Sequence, residues 1–162
     1  AERPRTVSIG GIAVELQIDR VDAIEGGGQV LIDYKTGQTR PSEWDRERPL
    51  EPQVPLYAVT HDAPVAGALF ASLRPDKLGF KGVADPSAGI DPGRKGDRGL
   101  LTEERLTVWR ERLEALAAEY LSGRAAVEPR DGDCGYCQMG PLCRVGELEI
   151  AAAETGDEED AE

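Results

Sequence analysis

Ile18-Asp19-Arg20-Val21-Asp22-Ala23-Ile24-Glu25-Gly26-Gly27-Gly28-Gln29-Val30-Leu31-Ile32-Asp33-Tyr34-Lys35-Thr36-Gly37 is the stretch whose reading decides the fold. Two apolar-rich runs flank three glycines, the pattern of a β-hairpin. Side chains alternate along a strand, so Asp33 and Lys35 leave the same face. A turn centred on Gly27 sets Lys35 opposite Asp19 and Asp33 opposite Val21. That register gathers Asp19, Asp33 and Lys35 on one face and leaves Asp22 on the other. A one-residue slip would exchange the faces and make Asp22 the first carboxylate instead.

Two carboxylates held a few ångströms apart repel each other unless a hard cation lies between them. Mg²⁺ accepts carboxylate oxygens, keeps several waters, and makes those waters available for phosphodiester cleavage. A lysine beside such an ion can orient the attacking water or stabilise charge in the transition state. A surface hairpin with cross-strand Asp and Lys pairs would show the same D…DxK spacing, so this motif alone does not separate the two readings.

The residues downstream do separate them. Pro52-Gln53-Val54-Pro55-Leu56-Tyr57-Ala58 reads as a helix start, with Gln53 and Tyr57 four residues apart on one helical face. Taken with Ile18-Asp19-Arg20-Val21-Asp22 and Ile32-Asp33-Tyr34-Lys35-Thr36-Gly37, the chain resembles the PD-(D/E)xK nuclease superfamily, and within it the nuclease domains of the RecB and AddB type. The resemblance implies a restriction-endonuclease-like core. It makes Asp19 and Asp33 ligands of Mg²⁺ or Mn²⁺, with the Tyr34 backbone carbonyl completing the inner shell. Lys35 becomes the catalytic lysine, and Gln53 and Tyr57 border the site. The glycine that usually precedes the first motif is absent here, where Leu16 and Gln17 stand.

All three cysteines fall in Cys134-Gly135-Tyr136-Cys137-Gln138-Met139-Gly140-Pro141-Leu142-Cys143. Thiolates in a tight glycine-containing loop suit a soft or borderline metal. AddB-like nucleases look the same at this end of the domain, where three cysteines and one distant upstream cysteine hold a 4Fe-4S cluster. By that resemblance Cys134, Cys137 and Cys143 are cluster ligands, and the fourth thiolate is expected upstream of Ala1 in a longer protein, together with the family's upstream active-site histidine. The cluster is therefore expected to be incomplete in this chain. A zinc site built from the three cysteines and His61 is the competing reading, against which His61 is expected to be solvent-exposed. The odd cysteine count and the absence of a signal peptide argue against a secreted disulfide scaffold.

At 162 residues the chain is long enough for one core. No run approaches the ~18 apolar residues of a membrane-spanning helix, and the reading is of a cytoplasmic domain. A net charge of −12 is unusual for a nucleic-acid binder. Eight acids and no base lie in Val145–Glu162, which leaves −4 for residues 1–144. Such a domain is expected to hold DNA weakly and to depend on a partner helicase subunit or helicase-like domains.

Strands are expected at Val7–Ile9, Ile12–Ala23, Gln29–Lys35, Val65–Leu73 and Gly79–Val83. Arg40–Pro49 is polar and charged, and Trp44 within it reads as part of a loop over the site rather than a core anchor. Pro52 and Pro55 fit the first turn of a helix ending near Thr60. Asp85–Leu100, rich in glycine, proline and alternating charge, reads as a mobile solvated loop in preference to a phosphate-contacting one. Thr102 caps the next helix, whose Leu106, Trp109, Leu113, Leu116 and Tyr120 form a buried stripe, and Gly123 ends it. Leu142–Ala153 is expected to form a short helix before an acidic, disordered tail.

The whole is read as an α/β or α+β domain, a mixed central β-sheet flanked by helices. Residues 1–144 form the nuclease domain, including the cysteine loop 134–143, and residues 145–162 the short helix and tail. The expected function is a metal-dependent DNA nuclease, an exonuclease, of a RecB/AddB-like repair and recombination protein. The alternatives are an inactive nucleic-acid-binding module on the same fold and a structural cysteine–metal module.

Overall fold

The computed structural model describes residues 4–25, 27–93, 96–124, 126, 127, 137 and 139–143. The chain divides into two compact units, Ala1–Ser122 and Gly123–Glu162. In the first, β1 (Arg5–Ile9) and β2 (Ile12–Leu16) form an antiparallel hairpin. Gly10 and Gly11 turn it at φ of 53° and 84°, the mirror-image turn conformation that matches strand twist.

The alternation that predicted one strand from Ile12 to Ala23 stops at Leu16. The Gln17 carbonyl accepts a hydrogen bond from the Tyr57 hydroxyl, and the Asp19 side chain accepts one from the Tyr34 amide. These residues are therefore held by groups from other parts of the fold, and a new strand, β3 (Arg20–Ala23), begins after them.

β3 opens a four-stranded sheet with β4 (Gln29–Lys35), β5 (Val65–Ser72) and β6 (Gly79–Ala84), in the order β3-β4-β5-β6. β3 and β6 run antiparallel to their neighbours, whereas β4 and β5 are parallel. A parallel pair needs a crossover, here α1 (Gln53–Thr60). In the hairpin of β3 and β4, Val21 faces Leu31 and Asp22 faces Val30. The expected register is thus corrected by two residues, because the turn closes over Ile24–Gly28 rather than symmetrically about Gly27. An even shift preserves the faces but carries Asp33 away from Val21 toward Asp19.

β4 and β5 are covered on both sides, which is why they read as nearly unbroken apolar runs. On one face Leu31, Ala68, Phe70 and Val83 pack with Val54, Tyr57 and Ala58 of α1 and with Trp109 and Leu113 of α2 (Glu103–Leu121). On the other, Val30, Ile32, Leu69 and Ala71 pack with Ile24, Ala88 and Ile90.

Trp44 corrects the loop reading. It is 0 % exposed and lies at the centre of the first core, 4.9 Å from the Phe70 ring and edge-on to Trp109 at 5.8 Å. Its charged neighbours pair locally: Glu43 with Arg46 at 2.8 Å, and Asp45 with Arg105 at 3.3 Å. The Trp109 indole also donates to Asp45. A polar segment can therefore fold inward around one large ring.

The described part of Asp85–Leu100 is largely exposed, as a solvated loop would be, but it carries ordered local structure. The Asp85 side chain caps a short turn by accepting from Ser87, Gly82 donates to the Pro92 carbonyl, and Leu100 bridges to Ala84. Arg94 and Lys95 lie outside the described residues.

Thr102 caps α2 through the Arg105 amide at 3.1 Å, and Gly123 follows the helix at φ 75°. The expected stripe holds at Trp109 and Leu113 but not at Tyr120, which is 75 % exposed. Ala117 is the buried residue of the last turns, set against Gly10 so closely that a Cβ there would lie 2.6 Å from its own. The close approach of hairpin and helix admits only small side chains, and the large ones turn outward.

In the second unit, α3 (Gly140–Cys143) is a single turn whose Cys143 amide donates to the Met139 carbonyl. Cys134, residues 144–153 of the expected last helix and the acidic tail lie outside the described residues.

Candidate active site

β4 ends in Asp33, Tyr34 and Lys35. Asp33 faces the helices, beside Phe70 on β5, and is 2 % exposed. Lys35, two residues on and so on the same face, brings its ammonium to 2.7 Å from Asp33 Oδ2 and 5.7 Å from the centre of the Phe70 ring. The ion pair compensates its charge, and among the described residues no donor other than Lys35 reaches the buried Oδ2. Burial pushes the Asp33 carboxyl above the usual carboxylate range, Lys35 pulls it back, and the Asp19 charge adds to the rise.

Lys35 also donates to Gln53 Oε1 at 3.0 Å. Gln53 is the first residue of α1, and one turn later Tyr57 accepts from Gln53 Nε2 at 2.6 Å and donates to the Gln17 carbonyl at 2.8 Å. Burial holds the Tyr57 phenol above its ordinary value, so the hydroxyl keeps its proton. One connected series thus runs from β4 through α1 to the break between β2 and β3. Asp19 sits in that break, half-buried, and its Oδ2 accepts from the Tyr34 amide at 2.9 Å.

Asp22, the alternative first carboxylate, lies on the opposite face and pairs with Arg20 at 2.8 Å. The structure therefore brings together Asp19, Asp33, Lys35, Gln53 and Tyr57, with Tyr34 supplying backbone, and keeps Asp22 out. His61 is not solvent-exposed as expected: it is half-buried, with its ring nitrogens facing Gln29 Oε1 and the Arg5 guanidinium. Of the cysteines, Cys137 is exposed and Cys143 half-buried, and Cys134 is outside the described residues.

Do these groups fit a metal? A buried carboxylate oxygen whose one donor among the described residues is Lys35, with a second carboxylate near enough to raise its pKa, is a hard-oxygen donor pair. Among the described residues no three His, Cys, Asp or Glu side chains gather into a metal-binding group. A cation at this point would accordingly rest on two carboxylates, with backbone carbonyls and waters as its other ligands, the ligand economy that suits Mg²⁺.

Sequence reasoning did not anticipate Phe70 beneath Lys35, the Gln17 carbonyl as the anchor of Tyr57, or the Tyr34 amide as the holder of Asp19. Parallel register after a crossover leaves no local signal for the first, and backbone groups leave none for the others.

The model of the PD-(D/E)XK nuclease superfamily matches residues 2–144. The chain belongs to the PD-(D/E)XK nuclease superfamily. No curated protein and no solved structure matches it. The four-stranded mixed sheet, the separate hairpin and the helices make this superfamily member an α+β protein consistent with a restriction-endonuclease-like fold. Membership implies nuclease activity in general, and PD-(D/E)XK nucleases generally use divalent metals such as Mg²⁺ or Mn²⁺. Among the described residues no helix is long and apolar enough to cross a membrane.

Proposed function

We propose that residues 1–144 are the DNA-cutting domain of a RecB/AddB-like repair and recombination protein, an exonuclease that works beside a helicase subunit or helicase-like domains. The observation that carries this reading is the buried, incompletely bonded Asp33 carboxylate flanked by Lys35 and Asp19, in a chain of this superfamily. Asp19, Asp33 and the Tyr34 carbonyl would hold Mg²⁺ or Mn²⁺. Such an ion, when bound, would neutralise phosphate charge and lower the pKa of a water it holds.

The chain's own groups do the positioning. Lys35 has three N–H donors; Asp33 and Gln53 take two directions, and the third, without a partner among the described residues, would serve an attacking water or a phosphate oxygen. Gln53 and Tyr57 keep the ammonium from swinging away, and protonated Tyr57 ties them to the backbone at Gln17. Cys134, Cys137 and Cys143 would contribute three thiolates to a 4Fe-4S cluster.

The test is cleavage of end-labelled linear and covalently closed circular single-stranded DNA by this chain, with Mg²⁺, Mn²⁺ or chelator, and by its Asp33→Ala variant. Metal-dependent loss of the linear substrate alone, abolished in a folded Asp33→Ala protein, is expected. Cutting of the circle would replace the exonuclease reading with an endonuclease. A wild-type protein that binds DNA but cuts neither substrate would favour an inactive binding module, a reading to which the overall charge of −12 gives little support. Iron content of the anaerobically purified protein tests the cluster.

A further inference from the structure

Behind the Asp33 face, at the same end of the sheet, lies a groove of about 300 Å³ lined by Arg20, Ile32, Tyr34, Leu73, Leu78 and Phe80. The rest of this sheet face is sealed by Ile24, Ala88 and Ile90 over Val30, Ile32, Leu69 and Ala71. At the groove the covering stops, and Tyr34 (41 %), Leu73 (51 %), Leu78 (72 %) and Phe80 (41 %) are exposed together. Four neighbouring exposed apolar side chains on one ledge mark a binding surface more than scattered surface residues would.

The ledge is continuous with the candidate active site. Tyr34 and Asp33 are successive residues on β4, so their side chains leave opposite faces from Cα atoms only ~3.8 Å apart. The Tyr34 amide holds Asp19, and in the sheet Lys35 stands beside Ser72, which stands beside Gly79. A chain molecule crossing the ends of β4 and β5 would therefore touch both Lys35 and the groove within one or two of its units.

Cations flank the groove, most of them paired with neighbouring acids. In a chain of net −12, Arg20 lines the groove, Arg74 and Lys77 lie in the turn joining β5 to β6, and Lys35 and Lys81 share the Asp33 face at the same end. Arg20 pairs with Asp22 and reaches the Tyr34 hydroxyl at 3.4 Å, while Arg74 pairs with Asp76. Two aromatic rings and an arginine in a shallow apolar slot suit a flat π-face, and aromatic platforms beside cationic tracks are how proteins take single-stranded nucleic acid.

We propose that this groove is a stacking subsite for an unpaired nucleobase of the strand being cut, next to the phosphodiester at Asp19 and Asp33. The proposal rests on the nuclease reading of that site. A base inside a duplex is already stacked on its neighbours, so the subsite selects single strands and frayed ends.

The test separates the groove from the chemistry. Binding of a fluorescent deoxythymidine homopolymer is measured in chelator with the full chain, with Phe80→Ala and with Phe80→Tyr. Phe80→Ala should weaken binding by about 5- to 160-fold and Phe80→Tyr should restore it, the range expected for one stacked base. Hydrolysis with Mn²⁺ of an oligonucleotide made of tetrahydrofuran abasic sites, phosphodiesters with no base and no aromatic ring, should be the same for Phe80→Ala and wild type. Unchanged single-strand affinity in Phe80→Ala overturns the proposal even if the protein proves a nuclease; this is also the result expected if the groove seats a protein segment instead. An equal loss for a blunt duplex overturns it too. Absence of cleavage by a wild-type chain whose binding does depend on Phe80 would leave the subsite standing and sink the nuclease reading. Should Phe80→Ala fold poorly, photocrosslinking of 5-iodouracil DNA to the wild-type chain decides: adducts on Tyr34 or Phe80 support the subsite, and adducts only elsewhere refute it.

Discussion

The Lys35 ammonium lies 2.7 Å from Asp33 Oδ2 and 3.0 Å from Gln53 Oε1, so one side chain joins the end of β4 to the start of α1. Asp33 is buried, and without that neighbour its charge would face Asp19 and an apolar ring with little to offset it. The pair therefore has two consequences that can be measured apart, one for stability and one for chemistry.

The stability consequence follows from the raised Asp33 pKa. Folded protein binds this proton more readily than unfolded chain, whose carboxyl titrates near its ordinary 3.8. Stability without metal should thus decline as pH rises from that value through the higher folded one, then level off. Asp33→Asn should flatten the decline and abolish cleavage. Urea unfolding in chelator between about pH 4 and 8 measures this; a decline unchanged in the variant would mean that other carboxyls carry it.

Lys35→Ala removes the group proposed to act on water or phosphate while leaving both carboxylates. Turnover should drop by about 10²- to 10⁴-fold, whereas Mn²⁺ binding by calorimetry should persist. Loss of metal binding equal to that in Asp33→Ala would show that Lys35 holds the site together instead of serving the reaction.

Tyr57→Phe deletes the hydroxyl that accepts from Gln53 and donates to the Gln17 carbonyl. Leaving part-buried partners unsatisfied should cost about 1–3 kcal/mol. Activity should fall less than in Lys35→Ala, because Gln53 still faces the ammonium. Chemical denaturation and initial cleavage rates on the same preparation test both halves.

Trp44→Ala should be among the most damaging substitutions, at about 3–5 kcal/mol, since the ring is wholly buried against Phe70 and Trp109. Trp44→Phe should cost much less. The indole Nε1 is buried without a hydrogen-bond partner among the described residues, so phenylalanine sacrifices packing and no polar contact. Equal losses in the two variants, read from thermal melts, would count against this account.

Several features were legible in the chain itself because they depend on covalent geometry and nearest neighbours. Strand alternation put Asp33 and Lys35 on one face, helical spacing put Tyr57 one turn from Gln53, and the Thr102 cap and Gly123 terminator marked the ends of α2. The α+β class followed from the order of apolar runs. Each of these is a local consequence of backbone form, indifferent to what packs against it.

Tertiary structure alone decided the rest. The β3–β4 register moved by two residues, which set Asp33 toward Asp19 instead of Val21. The strand expected from Ile12 broke at Gln17–Asp19 because Tyr57 and Tyr34, from α1 and β4, bind that backbone and side chain. Trp44 went inward from a charged segment because Phe70 and Trp109 left space for a ring, and Tyr120 went outward because Gly10 and Ala117 left none. His61 was drawn in by Gln29 and Arg5. Register and burial are settled by the free energy of whole faces meeting, contributed by residues tens of positions apart. A periodicity names the face a side chain leaves from, and only the packed fold names what it meets.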